Sequence, residues 1–199
     1  MTSIFLARHA VTDAHAQHRV LGRLPGFVLN AEGRAQAERL AEYLAGVPLN
    51  LVVSSPVDRA RETAEIVARR HGLDVVLDER FSEVEMGEWT GLAVREVRER
   101  YPEQVAAWLA VVTSAVTPRG ESRADVARRM RSGVDALVET YPDGQVLVVS
   151  HQDPIRAVIC SALDLPLQAL RRLDVAMASV SRLDWAKGQY FLKYLSLQP

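Results

Sequence analysis

The stretch Val146-Leu147-Val148-Val149-Ser150-His151 decides the fold. Four consecutive apolar residues bounded by polar ones have the pattern of a strand covered on both faces, as in a parallel sheet between two layers of helices. The neighbouring segments extend this reading. Downstream, a helix is expected from about Asp153 to Leu163. Upstream, Ser122 reads as the N-cap of a helix whose Val126, Met130, Val134, Leu137 and Tyr141 face inward, and which stops at Pro142-Asp143-Gly144.

Further out, strands alternate with helical patterns. Ser3–Ala7 reads as the first strand, and Asn30 as the cap of a helix running to about Leu44 with Gly46 as its stop. Leu51–Val53 is the second strand. Ser55 then reads as an N-cap with Pro56 at the first helical position, and Val57, Ala60, Ala64 and Val67 recur at helical spacing up to Gly72. Val75–Leu77 is the third strand. Between Leu92 and about Val112, Pro102 divides a helical pattern into two short helices meeting near Tyr101. Ser179–Trp185 and Tyr190–Leu195, joined across Lys187-Gly188, form a terminal hairpin or edge pair. The expectation is an α/β fold, a three-layer α/β/α sandwich on a mostly parallel sheet. Residues 1–199 are expected to form a single domain, with 78–122 as the cap over a site.

The 199 residues are 48% hydrophobic, enough apolar material for one continuous core. Lys and Arg total 24 against 25 Asp and Glu, with no long run of one sign, so no general attraction to nucleic acid or to a membrane surface is expected. Met1–Leu6 lacks the features of a signal peptide, and a cytoplasmic location is expected. The single cysteine, Cys160, lies among Val158, Ile159 and Leu163 and reads as a small core residue; it excludes an internal disulfide and a cysteine-type zinc site.

In parallel α/β sheets, ligands bind beyond the carboxyl ends of the strands. The residues at those ends are Arg8-His9 after the first strand and Ser54-Ser55 after the second, with Arg59 one helical turn further on. A loop holding Glu83 and Glu85 follows the third strand, and Ser150-His151 follows the buried one. Each has a bland reading alone: a hydrogen-bonded surface histidine, a solvated helix arginine, an ordinary glutamate. Arg59, however, is a cation in a first helical turn, where it opposes the helix dipole unless an anion lies between them. Two guanidiniums, two imidazoles and a carboxylate on one edge suit a phosphoryl group. An ionised carboxylate would repel that group, so its fitting role is a protonated general acid, while a neutral imidazole can attack phosphorus. The competing reading, a metal bound by His9, His15, His18, His151 and Asp13, has no helical His pair to support it and is opposed by the adjacent arginines.

With those residues in view, the chain resembles the histidine phosphatase superfamily, also called phosphoglycerate mutase-like. The resemblance runs through Leu6-Ala7-Arg8-His9-Ala10-Val11-Thr12-Asp13-Ala14-His15, Leu29–Ala37, Ser54–Ala64, Glu83-Val84-Glu85-Met86-Gly87-Glu88-Trp89-Thr90-Gly91, Gly120-Glu121-Ser122 and Val148–His151. It covers about residues 3 to 163 and implies the phosphoglycerate mutase-like sandwich. It further implies His9 as phosphohistidine nucleophile, Glu83 as proton donor, and Arg8, Arg59 and His151 as phosphate ligands, with His15, Arg23 and Glu121 in blocks used near substrate or phosphate. It implies no metal and no cofactor. Three departures bear on substrate choice and, less, on rate: Ala10 where the family has glycine, His15 where it has asparagine, and Gln152-Asp153 after His151 where glycine is common. Asp153 also reads simply as a first-turn helix acid.

The leading expectation is a metal-independent phosphatase of small-molecule phosphomonoesters, acting through a phosphohistidine. A phosphoglycerate mutase is the alternative, disfavoured because the chain between Glu83 and Gly120 is short for a cap that must hold its product against water. A phospho-ligand or protein-binding member that has lost activity is the other. Trp89, Trp108 and Arg119 are expected as cap contacts, and an edge strand such as 190–195 offers a route to a homodimer.

Overall fold

The computed structural model describes residues 1–14, 18–110 and 115–199. Its strands are β1 (Thr2–Arg8), β2 (Leu51–Ser54), β3 (Val75–Leu77), β4 (Gln145–Ser150), β5 (Val180–Ala186) and β6 (Gln189–Leu197). They form one sheet in the order β3-β2-β4-β1-β5-β6. The first four strands run parallel, and β5 and β6 are antiparallel. The helices are α1 (Ala31–Leu44), α2 (Asp58–His71), α3 (Val94–Arg100), α4 (Pro102–Leu109), α5 (Arg123–Thr140) and α6 (Gln152–Ala162).

Strand alternation sorts the core into two layers. Phe5, Ala7, Val52, Leu147 and Val149 pack with Leu40 and Leu44 of α1 and with Ala64 and Val67 of α2. Ile4, Leu6, Val53, Val146 and Val148 pack with Met130 and Val134 of α5 and with Ile155 and Val158 of α6. Val146–Val149 have no exposed surface, and full burial of each such side chain is worth about 1.5–3 kcal/mol. Helices therefore cover both faces of a mostly parallel sheet.

Local signals set most of the boundaries. The Asn30 side chain accepts from the Gly33 N–H at 2.8 Å, and Ser122 forms a reciprocal capping box with Asp125. Gly72 ends α2 in the left-handed conformation, and Pro102 opens α4 where α3 has just stopped. Lys187 and Gly188 both have positive φ, the requirement of a two-residue turn that matches strand twist. Cys160 is fully buried.

One cap differs from expectation. Helix α2 begins at Asp58, and neither Ser55 nor Pro56 is its N-cap or first residue. The Ser55 hydroxyl does accept from the Val57 N–H at 3.2 Å, but its other partner is His151. A Ser-Pro pair before a helical pattern looks like a cap; here the serine stays with the strand end and serves the site. Among the described residues no helix is long and apolar enough to cross a membrane.

Candidate active site

Register brings the strand ends level. Arg8 pairs with Ser150, and Ser54 with Val149, so β1, β2 and β4 finish together. The next residues extend the ladder by one step: the His9 N–H donates to the Ser150 carbonyl at 3.0 Å, and the Ser55 N–H to Val149 at 3.0 Å. His9, Ser55 and His151 therefore leave the sheet at one edge, and His9 lines a cavity of about 330 Å³ whose wall also includes Arg8, Arg59, Glu83, Trp108 and Asp153.

Hydrogen bonds fix the His9 tautomer. Nδ1 lies 2.8 Å from the Ala10 carbonyl, an acceptor, so Nδ1 carries the hydrogen. Nε2 then presents a lone pair, which receives the Arg59 Nε–H at 3.2 Å. The backbone beneath is held by Thr63 on α2, whose hydroxyl accepts from the Ala10 N–H at 3.1 Å and donates to the Arg59 carbonyl at 2.7 Å. Ala10 is fully buried and is not one of the residues with positive φ. A Cβ at this position therefore fits an ordinary backbone conformation.

Around His9 the donors converge. The His151 ring centroid is 5.1 Å from that of His9. Its Nε2 lies 2.9 Å from the Ser55 hydroxyl. Burial, then the charge of Arg59, hold the His151 pKa well below the usual histidine range, so the ring is neutral. The Ser55 oxygen already accepts from the Val57 N–H, so its own hydrogen is best used on Nε2, which places the single ring hydrogen of His151 on Nδ1. Arg8 Nη1 donates to the Val175 carbonyl at 2.7 Å, and Arg59 Nη2 to Gly22 at 2.9 Å. Burial lowers both arginines, Arg8 to about 10, which leaves each charged at neutral pH. Arg8 Nε, Arg59 Nη1 and His151 Nδ1 are buried and find no hydrogen-bond partner among the described residues. Each such stranded donor costs about 1–3 kcal/mol, and an anion with several oxygens would relieve all three.

Glu83 faces these donors from the loop after β3. Its Oε1 accepts from the Val84 N–H at 2.9 Å; its Oε2 lies 3.9 Å from Arg59 Nη2 and 3.8 Å from His151 Nδ1. About a fifth of the side chain (21%) stays exposed, so it is buried by depth in an open cavity rather than sealed off. Burial raises its pKa against the pull of Arg59, and the charge of Asp153 raises it further. The Ser150 hydroxyl, donating to the Phe81 carbonyl at 2.7 Å, ties this loop to the end of β4.

The remaining candidates fall in different places. Arg23 and Glu121 do not line the cavity; they pair with each other at 3.1 Å behind the Glu83 backbone. Glu85 accepts from the Gly87 N–H and faces Arg23 at 3.8 Å. His15 lies outside the described residues, as does Val112. Asp153 is both a first-turn acid of α6 and part of the cavity wall, held 3.4 Å from Arg123 and from Arg156. Gln152 lines the wall as well and donates to the Val175 carbonyl at 3.3 Å. From segment 78–122, Glu83, Val84, Met86 and Trp108 reach the cavity. Trp89 is buried against Trp108 and Tyr101, and Arg119 points into solvent beside Glu88. Among the described residues no group of three or more His, Cys, Asp and Glu is placed to hold a metal. Thr63, Val175 and Arg129 were missed by sequence reasoning. Only Thr63 carried a signal, as a polar residue four after Arg59 on the buried face of α2.

Comparison with known proteins shows what the chain is similar to. A bifunctional protein of Mycobacterium tuberculosis is 43% identical over 184 residues, 90% of this chain and 49% of that protein, so the chain spans about half the length of that relative. Phosphoserine phosphatase 1 of Hydrogenobacter thermophilus is 32% identical over 181 residues, covering 91% of this chain and 85% of that one. The solved structure of a mycobacterial glucosyl-3-phosphoglycerate phosphatase with VO3 superposes at a TM-score of 0.88, with 33% identity and 98% of each chain covered. Sheet order, site geometry and a family model that matches residues 4–198 lead to one assignment: the chain belongs to the histidine phosphatase superfamily, branch 1.

Proposed function

We propose that this protein hydrolyses small-molecule phosphomonoesters without a metal, through a phosphohistidine on His9. The observation that carries the reading is the set of three unpartnered donors, Arg8 Nε, Arg59 Nη1 and His151 Nδ1, around the His9 Nε2 lone pair. Phosphate oxygens bound there would take the Arg59 interaction from His9 and leave Nε2 beside phosphorus. The His9 Nε2–P bond forms as the ester P–O bond breaks, and the proton of Glu83 passes to the departing alkoxide. Glu83, now ionised, takes a proton from a water that attacks phosphorus. The N–P bond breaks, inorganic phosphate leaves, and both groups return to their starting states. The raised pKa of Glu83 supports its role as acid. Residues 78–122 would act as the cap, through Val84, Met86 and Trp108.

The test is phosphate release from p-nitrophenyl phosphate and a panel of phosphomonoesters in EDTA, with His9→Ala and Glu83→Gln alongside. Expected are release that vanishes in His9→Ala, and an acid-labile phosphohistidine after a quench. Exchange of 3- and 2-phosphoglycerate with no net phosphate release would favour a mutase instead. Phosphate binding without turnover of any ester would favour a binding member. We also propose a cytoplasmic location, consistent with a lone buried cysteine, and self-association through the open edge of β6, to be read by size-exclusion chromatography.

A further inference from the structure

The proton donor is gripped by its backbone from α5. Arg129 Nη1 donates to the Arg80 carbonyl at 2.8 Å and Nη2 to the Glu83 carbonyl at 3.1 Å, so one guanidinium spans the turn that leads into the acid. Arg23 Nε donates to the same Glu83 carbonyl at 2.8 Å. Glu121 holds both cations: Oε1 accepts from Arg129 Nε at 2.6 Å, and Oε2 accepts from Arg129 Nη2 at 3.0 Å and Arg23 Nη2 at 3.1 Å. Oε2 also accepts from the Glu85 N–H at 3.1 Å, while the Glu121 N–H donates to the Glu85 carbonyl at 2.9 Å. Burial would raise Glu121, but Arg129 and Arg23 hold it below the usual carboxylate range, so it remains an anion between the two guanidiniums.

Backbone contact closes the same joint. A Cβ on Gly87 would lie 2.0 Å from the Pro118 carbonyl, and one on Gly120 would lie 2.4 Å from the Glu85 carbonyl. The loop of the acid is thus seated on residues 117–121 and bolted to α5 by a forked, doubly charged bridge.

We propose that Arg129, acting with Glu121 and Arg23, is a positioning residue that sets the carboxyl of Glu83 against the leaving-group oxygen. This rests on the phosphatase reading, with Glu83 as acid. Arg129 touches no reacting atom; its effect passes through the Glu83 main chain, and an acid misplaced by about 1 Å loses up to about 100-fold in rate.

Leaving-group dependence tests the idea. A nitrophenolate departs without a proton, whereas the alkoxide of β-glycerol phosphate needs one. In Arg129→Met the single-turnover rate of His9 phosphorylation by β-glycerol phosphate is expected to fall about 10- to 100-fold, while that by p-nitrophenyl phosphate stays within about threefold of wild type; the later water step, which Glu83 serves for both esters, is kept out of this readout. Arg129→Lys, which keeps the charge and one donor at a time, should fall between, and serves if Arg129→Met does not fold. In a Glu83→Gln background, Arg129→Met should add nothing to the alkyl-ester loss, because no acid remains to be placed. Equal losses in the phosphorylation rate with both esters, or an undiminished loss in the Glu83→Gln background, would overturn the positioning role while leaving a His9-dependent phosphatase intact. A wild type that hydrolyses neither ester would overturn the parent reading as well.

Discussion

Replacing Thr63 with valine tests how the His9-Ala10 segment is held to α2. The two side chains have nearly the same shape, and Thr63 is fully buried, so the change is chemical rather than steric. The Arg59 carbonyl, inside α2, keeps its helical acceptor role at Thr63 N–H and loses only the extra hydroxyl. The Ala10 N–H has the Thr63 oxygen, at 3.1 Å, as its acceptor, and Ala10 is itself fully buried. A stranded buried amide costs about 1–3 kcal/mol. At roughly 2.1 cal/mol/K per residue, a chain this long has an unfolding entropy of about 0.4 kcal/mol/K at its midpoint, so Tm should drop by about 2–7 °C. Activity should fall too, because the same oxygen joins the His9-Ala10 backbone to the turn that carries Arg59. Thermal unfolding followed by circular dichroism, with kcat for p-nitrophenyl phosphate, reads both effects. Thr63→Ser, which keeps the oxygen, is the control and should retain most of the rate. A Thr63→Val protein with unchanged Tm and kcat would refute the reasoning, as would a Thr63→Ser protein damaged as badly as Thr63→Val.

Asp153 raises the Glu83 pKa, so, if Glu83 is the proton donor, Asp153→Asn should move the alkaline limb of the kcat profile for an alkyl phosphate to lower pH; an unmoved limb would remove Asp153 from the electrostatics of Glu83. His151 is held neutral below its unfolded value, so its contribution to stability is complete above the usual histidine pKa and is lost as pH falls through the depressed folded one. His151→Gln should therefore flatten that part of the Tm-versus-pH curve, while Glu83, shifted the opposite way, goes on favouring the folded state at low pH in both proteins. If guanidiniums carry the phosphate charge, dialysis against EDTA should leave kcat unchanged; a loss restored by a divalent cation would refute that assignment.

The fold was legible because its strands are short apolar runs whose ends carry polar residues, and because caps at Asn30 and Ser122 are local chemistry. The strand-end rule likewise placed Arg8, His9, Arg59, Glu83 and His151 together, since register in a parallel sheet leaves little freedom. What could not be read was which partner a polar side chain chooses. Ser55 looked like a cap and belongs to His151. Arg23 and Glu121, placed near substrate by resemblance, meet behind the Glu83 backbone. Arg129 is a charged residue on a helix whose apolar stripe was the only visible pattern; its reach to residues 80 and 83 exists only once α5 has docked.

The position of β1 has a consequence for the order in which the molecule can be made. Its two ladders run to β4 and β5, in which Ser3 meets Gln145 and Thr2 meets Trp185. As the chain emerges during synthesis, the segment before His9 must therefore wait, apolar and unpaired, for strands translated much later. Such long sequence separations slow folding and prolong the exposure of sticky intermediates. A nascent chain interrupted at residue 140 already contains His9, Arg59 and Glu83, but it has neither neighbour of β1 and so no edge on which to gather them.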